Sequence, residues 1–499
     1  MSSSNPKTSL AQHPNRWAVL ALLGVAQLMV VLDATIVNIA LPSAQKALHF
    51  TTDNRQWIIT AYALAFGSLL LLGGKLGDLF GRKWTLIGGL IGFALASAIG
   101  GIAQSFGMLV AARALQGAFG AILAPSALGL LTVTFQGSPD RPKAFGIFSA
   151  IAAGGASVGL LLGGVLTQAI SWRWCLYVNL AIAIPTAIVA LRLLRNERRP
   201  ERAPIDLRGV ALGSGGLFAL VFGFSNAETS SWSDPITIVA LGASALLLCC
   251  FIALERRVQH PLLPLHIVWD RARGGAYATI ALAGSAVFAV FLFLTYYLQQ
   301  NLGFSPLKTG LAFLPMTIMI VLTATTVQTR VLHRTGAKPL VMAGMTLGLI
   351  AMISFTRLTP DAAYATHVLP GLMLTGLGMG CIFAPAFSTA TLGVKSTDAG
   401  IASAMVNTSQ QVGGSVGTAL LSTIFASAAA SYATAHVNVA RLGTAASIHG
   451  YTTAFEWAAA IFALGLLVAL LVLPSDGAAR ARTAQAEARA DLAVALETA

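Results

Sequence analysis

Charge is scarce in this chain. Only 10% of its 499 residues are charged while 56% are hydrophobic, and the mean hydropathy is +0.76. A soluble domain carries charge on about a quarter of its residues, so a polytopic membrane protein is expected. Catalytic signatures are missing too. No Gly-x-x-x-x-Gly-Lys-Ser/Thr phosphate loop, no His-Glu-x-x-His and no paired-cysteine metal motif occurs, which leaves an ATP-driven pump or a zinc-dependent membrane enzyme without support in the chain. No enzyme activity, cofactor or metal is expected, and any energy source is an ion gradient. Cysteine is limited to Cys175, Cys249, Cys250 and Cys381, which lie in apolar runs without metal-type spacing and read as packing residues. A closed transmembrane barrel would alternate apolar and polar residues in strands of about ten. The long unbroken runs found here instead mark an all-α protein, whose helices satisfy their own backbone in hydrocarbon.

Acids are scarcer than bases. There are 18 Asp and Glu against 31 Lys and Arg, and Asp33 alone lies deep within an apolar run. That run, residues 17–42, reads WAVLALLGVAQLMVVLDATIVNIALP and is long enough to cross a hydrocarbon layer of about 30 Å with some tilt. A carboxylate at such depth costs roughly 2.5 to 3.5 kcal/mol on insertion scales, so acids placed there face a bundle interior or a water cavity and carry protons, ions or ligands. Asp33 is therefore the candidate proton-linked residue of a transporter. The alternative is a structural ion pair or a helix contact. The polar tail before the run has no cleavable-signal pattern, so the first span is expected to stay.

Fourteen apolar runs are present, at approximately 17–41, 56–73, 84–104, 107–132, 144–169, 174–194, 208–226, 235–254, 274–299, 308–328, 339–357, 367–391, 399–426 and 453–473. Short connections make neighbours antiparallel, so the loops alternate sides. With a cytoplasmic N-terminus, 24 of the 31 basic residues fall on the cytoplasmic side, a strong positive-inside pattern that requires both termini inside. The net charge of +13 is then topological, and no nucleic-acid partner is expected. The expected location is the cytoplasmic membrane, multi-pass, with the lipid bilayer as a partner and the chain acting as a monomer.

An internal repeat is visible. Gly74-Lys-Leu-Gly-Asp-Leu-Phe-Gly-Arg-Lys83 follows the second run, and Thr329-Arg-Val-Leu-His-Arg-Thr-Gly-Ala-Lys338 follows the tenth, pairing Gly81 with Gly336 and Lys83 with Lys338. Gly120-Ala-Ile-Leu-Ala-Pro125 and Gly380-Cys-Ile-Phe-Ala-Pro385 match in the fourth and twelfth. Runs 9–14 thus read as a copy of runs 1–6, with two inserted between, a common build of secondary transporters. The expected division is a tail over 1–16, a six-helix bundle over 17–195, a linker region with two extra spans over 196–265, a second six-helix bundle over 266–474, and a tail over 475–499.

The motif Gly74-x-Leu76-x-Asp78-x-x-Gly81-Arg82-Lys83 resembles the loop signature of the major facilitator superfamily. Together with Leu32-Asp-x-Thr35-Ile-Val-Asn38-x-Ala40-Leu-Pro42, Arg113-x-Leu-Gln116-Gly117 and Gly400-Ile-Ala-Ser-Ala-Met-Val-Asn-Thr-Ser-Gln-Gln-Val-Gly-Gly414, it resembles the fourteen-span drug:proton antiporter branch over nearly the whole chain. The resemblance implies export of a lipophilic or cationic drug or antibiotic in exchange for protons. It departs at one place. The family's fifth-span pattern has proline where this chain has Leu160, within Gly155-Ala-Ser-Val-Gly159-Leu160-Leu-Leu-Gly163-Gly164. Gly155, Gly159, Gly163 and Gly164 are expected to keep close helix packing, while the proline bend is expected to be lost. Leu160 lends some favour to a second reading, a proton-coupled or facilitative importer of a small metabolite. A receptor-like member that binds without transport is a third.

The resemblance also implies roles for particular residues. Gly74, Asp78, Gly81, Arg82 and Lys83 are expected to form a conformational latch on the cytoplasmic side. Arg113 is the one basic residue well inside a span. At 1.5 Å per residue it lies about 9 Å below its outer boundary and Asp33 about 13.5 Å below Pro42, so the two are the expected proton-coupling pair. Polar groups of the substrate cavity are expected at Asn38 and Gln116 in the first half and at Asn407, Gln410 and Gln411 in the second. The aromatic run of the ninth span adds Tyr296 and Tyr297 as a face for a flat or cationic ligand.

Overall fold

In hydrocarbon every backbone N–H and C=O must find its partner within the segment, and each of the fourteen apolar runs is accordingly helical. The structure, a computed structural model, describes residues 15–475 except 51, 137, 196–205, 260, 361, 396–397 and 437–441. Most of both tails and the Arg-rich connector lie outside the described residues. The spans are α1 (Arg16–Leu48), α2 (Thr52–Phe80), α3 (Arg82–Gly101), α4 (Phe106–Thr134), α5 (Arg141–Ala169), α6 (Trp174–Leu193), α7 (Leu207–Thr229), α8 (Pro235–Glu255), α9 (Arg271–Tyr296), α10 (Leu314–Thr326), α11 (Ala337–Phe355), α12 (Leu369–Ala390), α13 (Ala399–Ala435) and α14 (Leu442–Val472). Among the described residues thirteen helices are long and apolar enough to cross a membrane, and a bent α5 makes the fourteenth. Acids between the spans start helices. Asp206, Asp234 and Asp270 each accept from backbone N–H groups of the first turn of α7, α8 and α9, the role of an N-cap.

Packing shows the repeat directly. In the first half α1 packs on α5 and α6, α2 on α4, and α3 on α4 and α6. In the second, α9 packs on α13 and α14, α10 on α12, and α11 on α12 and α14. The second set is the first moved on by eight helices. The two halves meet where α2 and α4 touch α13 and where α5 touches α10 and α12. The inserted α7 and α8 pair with each other, and α7 lies along both α2 and α13. It is joined to α2 by a hydrogen bond between the Thr60 and Ser225 hydroxyls at 3.2 Å. It is joined to the end of α13 through Ser422 to Glu228 at 3.3 Å and Trp232 Nε1 to Thr423 Oγ1 at 2.9 Å.

Two expectations about α5 are corrected. The helix is bent by 42° between Arg141–Ala156 and Leu161–Ala169, although Leu160 replaces proline. Glycine-rich stretches are themselves sites of kinking, and here the glycines are drawn onto α1. A Cβ on Gly159 would lie 2.0 Å from Thr35 Oγ1, one on Gly163 2.9 Å from Ile36 O, and one on Gly155 3.1 Å from Val31 Cγ1. Gly164 is not part of this contact, since a Cβ there would meet nothing within 4 Å. Residues 155, 159 and 163 share a face at four-residue spacing; 164 is turned about 100° away.

Candidate functional site

Two sites stand out, one sealed inside the first bundle and one between the halves. In the first, α1 carries Asp33 and α4 carries Arg113, 0% and 2% exposed. Arg113 Nη1 donates to Asp33 Oδ2 at 2.6 Å. The other carboxylate oxygen accepts from Gln116 Nε2 at 3.0 Å and from Asn179 Nδ2 of α6 at 2.6 Å. Ser97 of α3 ties the two amides together, its Oγ accepting from Gln116 Nε2 at 2.7 Å and Asn179 Nδ2 at 3.3 Å. Arg113 is supported independently. It donates to Gln116 Oε1 at 2.9 Å and to Ile58 O at 3.4 Å, and its guanidinium lies 4.4 Å from the centre of the Tyr62 ring. Spacing of one helical turn puts Arg113 and Gln116 on one face of α4. Every side chain here is buried, so the charges are sealed from solvent and held by fixed donors.

Sequence reasoning did not single out Ser97, Asn179 or Tyr62. An uncharged polar residue in an apolar span is common interhelical glue and carries no mark of the acid it will meet. A signal was present in one respect: Asn179 is six residues into α6, near the end at which α1 and α4 place their charges.

The second site lies on the face where basic residues gather. The turn between α2 and α3 needs Gly81, whose φ of 92° is costly for a residue with a side chain. Asp78, one turn before it, is buried and accepts from Arg82 Nη2 at 2.7 Å. It also reaches into the other half. Gly400 N donates to Asp78 Oδ1 at 3.1 Å and Ile401 N to Oδ2 at 3.2 Å, so the carboxylate caps the start of α13, where the helix presents unpaired N–H groups and partial positive charge. Asp398, at the N-cap position itself, makes no capping bond with its side chain. Such an approach demands small residues on both sides. A Cβ on Gly74 would lie 2.7 Å from Gly400 O, and one on Gly400 2.5 Å from Gly74 O. Nearby, Arg141 of α5 donates to Thr391 Oγ1 after α12 at 2.9 Å.

Lys83 is placed elsewhere. Its Nζ donates to Leu191 O and Leu194 O at 2.8 and 2.7 Å, clamping the end of α6 within its own half. Lys338 does the same to Leu470 O near the end of α14 at 2.6 Å, after a Gly336 whose φ is 77°. The repeat thus keeps its glycine turn and its lysine clamp in both halves; the acid and the arginine are particular to the first.

The residues expected along a substrate cavity scatter. Gln116 belongs to the buried ionic cluster. Asn38 is exposed on α1, outside that cluster. Tyr296 is 42% exposed, whereas Tyr297 is buried in the second-half core with its hydroxyl donating to Thr359 O at 2.8 Å. Asn407 is buried and donates to Ser403 O of its own helix at 3.0 Å. Gln410 is half-buried with its backbone beside Gly284 of α9, and Gln411, also half-buried, meets α2 across the interface, where a Cβ on Gly67 would lie 2.9 Å from its Cγ.

Two bundles that repeat one packing scheme and meet along a few helices are the architecture of a membrane transporter of the secondary type, not of an enzyme. The chain belongs to the Major Facilitator Superfamily, whose family model matches residues 23–418. It is 46% identical over 476 residues to the puromycin resistance protein pur8 of Streptomyces alboniger, covering 95% of this chain and 94% of that one. It is 37% identical over 408 residues to the cephamycin export protein CmcT of Amycolatopsis lactamdurans, covering 81% and 84%. The human organic anion transporter MFSD10 (TETRAN) shares the fold, with a TM-score of 0.62 and 16% identity over 91% of this chain and all of that one.

Proposed function

We propose that this chain is a proton-coupled antiporter that exports lipophilic or cationic drugs or antibiotics across the cytoplasmic membrane. The observation that carries the coupling is the burial of Asp33 against Arg113 at 2.6 Å, the two being 0% and 2% exposed. A carboxylate held there is a group whose proton can be exchanged only when the bundles rearrange. Kinship supports an antibiotic cargo, since relatives are named for puromycin resistance, cephamycin export, and tetracenomycin C resistance and export. In this reading the basic face is cytoplasmic with both termini on it, the segments 17–195 and 266–474 rock as units, and the Asp78 latch is the cytoplasmic closure. The importer reading leaned on the missing proline of α5, and the 42° bend removes that support.

The test is substrate-driven proton movement in everted membrane vesicles. Adding a cationic dye or puromycin to vesicles with an acidic interior is expected to release protons outward with the native chain and not with Asp33→Asn. Proton movement in the same direction as substrate, or none with any of a panel of antibiotics, would overturn the antiport reading.

A further inference from the structure

Asp33 Oδ1 sits between two amides that look alike in sequence and are held differently. Gln116 is fixed at both ends: its Oε1 accepts from Arg113 Nη1 at 2.9 Å, and its Nε2 donates to Asp33 and Ser97. Reversing that amide would aim a donor at a guanidinium. Asn179 is fixed at one end only. Its Nδ2 donates to Asp33 Oδ1 at 2.6 Å and to Ser97 Oγ at 3.3 Å, while its Oδ1 is buried with no hydrogen-bond partner. A buried amide oxygen without a partner is uncommon and costly.

The proton cycle makes sense of it. As a carboxylate Asp33 can only accept hydrogen bonds, and all three of its partners are donors. As a carboxylic acid it has an O–H that needs an acceptor. Of the charged and titratable neighbours, Arg113 on α4 has no acceptor atom, the Tyr62 hydroxyl on α2 is hydrogen-bonded to nothing, Asp33 included, and the Cys175 thiol on α6 is engaged with Thr167 and Gly163 O. Gln116 cannot turn without losing Arg113. Turning the Asn179 amide by half a revolution about its last torsion exchanges Nδ2 for Oδ1 in nearly the same place, and Ser97, a hydroxyl, can donate as readily as it accepts.

Resting on the proton-coupled reading above, we propose that Asn179 is a positioning residue for the transported proton: its amide donates to Asp33 when the carboxylate is charged and reverses to accept the Asp33 O–H when it is protonated. In the step, once the bundles have rearranged to admit water, a hydronium ion gives its proton to Asp33 Oδ1 and leaves as water, the Asn179 amide turns, and its oxygen acquires the partner it lacks. Nothing is oxidised or reduced. Arg113 keeps Ile58 O, Gln116 Oε1 and the Tyr62 ring throughout.

The experiment is pH-induced infrared difference spectroscopy of the purified full chain in liposomes, paired with efflux of the same cationic dye. The protonated carboxyl band of Asp33 is identified by its loss in Asp33→Asn. In Asn179→Leu, similar in size but without polar atoms, that band is expected to move to higher frequency, as for a carboxyl without a hydrogen-bonded partner, and efflux to fall about tenfold, the scale of one hydrogen bond to a charged group. Asn179→Thr, whose hydroxyl both donates and accepts with space left for one water, is expected to return the band towards its native position and to restore most of the efflux. An unmoved band in Asn179→Leu, or Asn179→Thr as impaired as the leucine variant, would overturn the role of Asn179. A difference spectrum unchanged by Asp33→Asn would overturn the proton-coupled reading itself, a separate result.

Discussion

Taking the charge from Asp33 leaves Arg113 buried with Ile58 O, Gln116 and a Tyr62 ring but no counter-charge. Breaking one side of a buried ion pair costs about 3 to 5 kcal/mol, and removing both sides costs far less. The two views of the pair, structural brace or proton site, therefore separate in a double variant. Asp33→Asn is expected to lower the melting temperature of the purified protein and to reduce efflux more than about tenfold. Asp33→Asn with Arg113→Gln is expected to recover much of the melting temperature and none of the efflux, because the pair couples as a unit. Recovery of both would make the pair a brace. Asp33 and Arg113 could be read from the sequence because a charge within an apolar run stands out on energetic grounds alone. Asn179 could not, because its importance comes from an atom 146 residues away and its own side chain costs little in a span.

At the scale of helices, glycines set how closely neighbours approach. Gly159 faces Thr35 at a distance no side chain could occupy, and Gly164 faces open space. Gly159→Val is expected to cut the yield of folded transporter several-fold, in the range of 1 to 3 kcal/mol for overpacking, while Gly164→Ala is expected to express and transport as the native chain does. Fluorescence-detected size-exclusion chromatography of tagged variants measures the first and efflux the second. The latch motif divides in the same way. Asp78→Asn weakens the cap on α13 and is expected to depress transport with insertion intact, whereas Lys83→Met loosens the end of α6 and is expected to lower stability more than turnover. The sequence showed the motif but not this division, because the partners are backbone groups, and a peptide N–H has no signature. Pro42 misled in a similar way: it reads as a stop, yet α1 continues through it to Leu48, as spans with prolines do when neighbours satisfy the freed backbone.

For the whole molecule the question is which contacts would part in the proposed rocking of the halves. The α7–α8 hairpin is joined to α2 at Thr60 and Ser225, and the segment that follows it by Lys75 Nζ to Pro261 O at 2.9 Å; the hairpin's buried Leu217 and Phe251 lie in a core that holds residues of both halves. Two side-chain hydrogen bonds at the far end tie it to α13, along which α7 also packs. Tied to α2 towards both of its ends and to α13 at one, the hairpin with its following segment is expected to travel with the first half. Between the halves proper, the Cγ of Gln411 lies 2.9 Å from where a Cβ on Gly67 would be, a spacing suited to a bridge between cysteines. Gly67→Cys with Gln411→Cys is expected to cross-link on oxidation and stop dye efflux until reductant is added. Cysteines at Thr60 and Ser225 are expected to cross-link without stopping it. Full efflux with the first bridge closed would exclude rocking about this interface.

The acid that caps α13 from the opposite half carries one more implication. When the halves separate, Gly400 and Ile401 lose a fixed carboxylate and Asp398 is not holding them, so their amides must be taken up by solvent. Opening on the basic face is then a hydration event, and its equilibrium follows the activity of water. Excluded osmolytes such as sucrose, which favour states with less wetted surface, are expected to slow turnover of the native transporter in vesicles and to slow it less in Asp78→Asn, where the dry state has already been weakened.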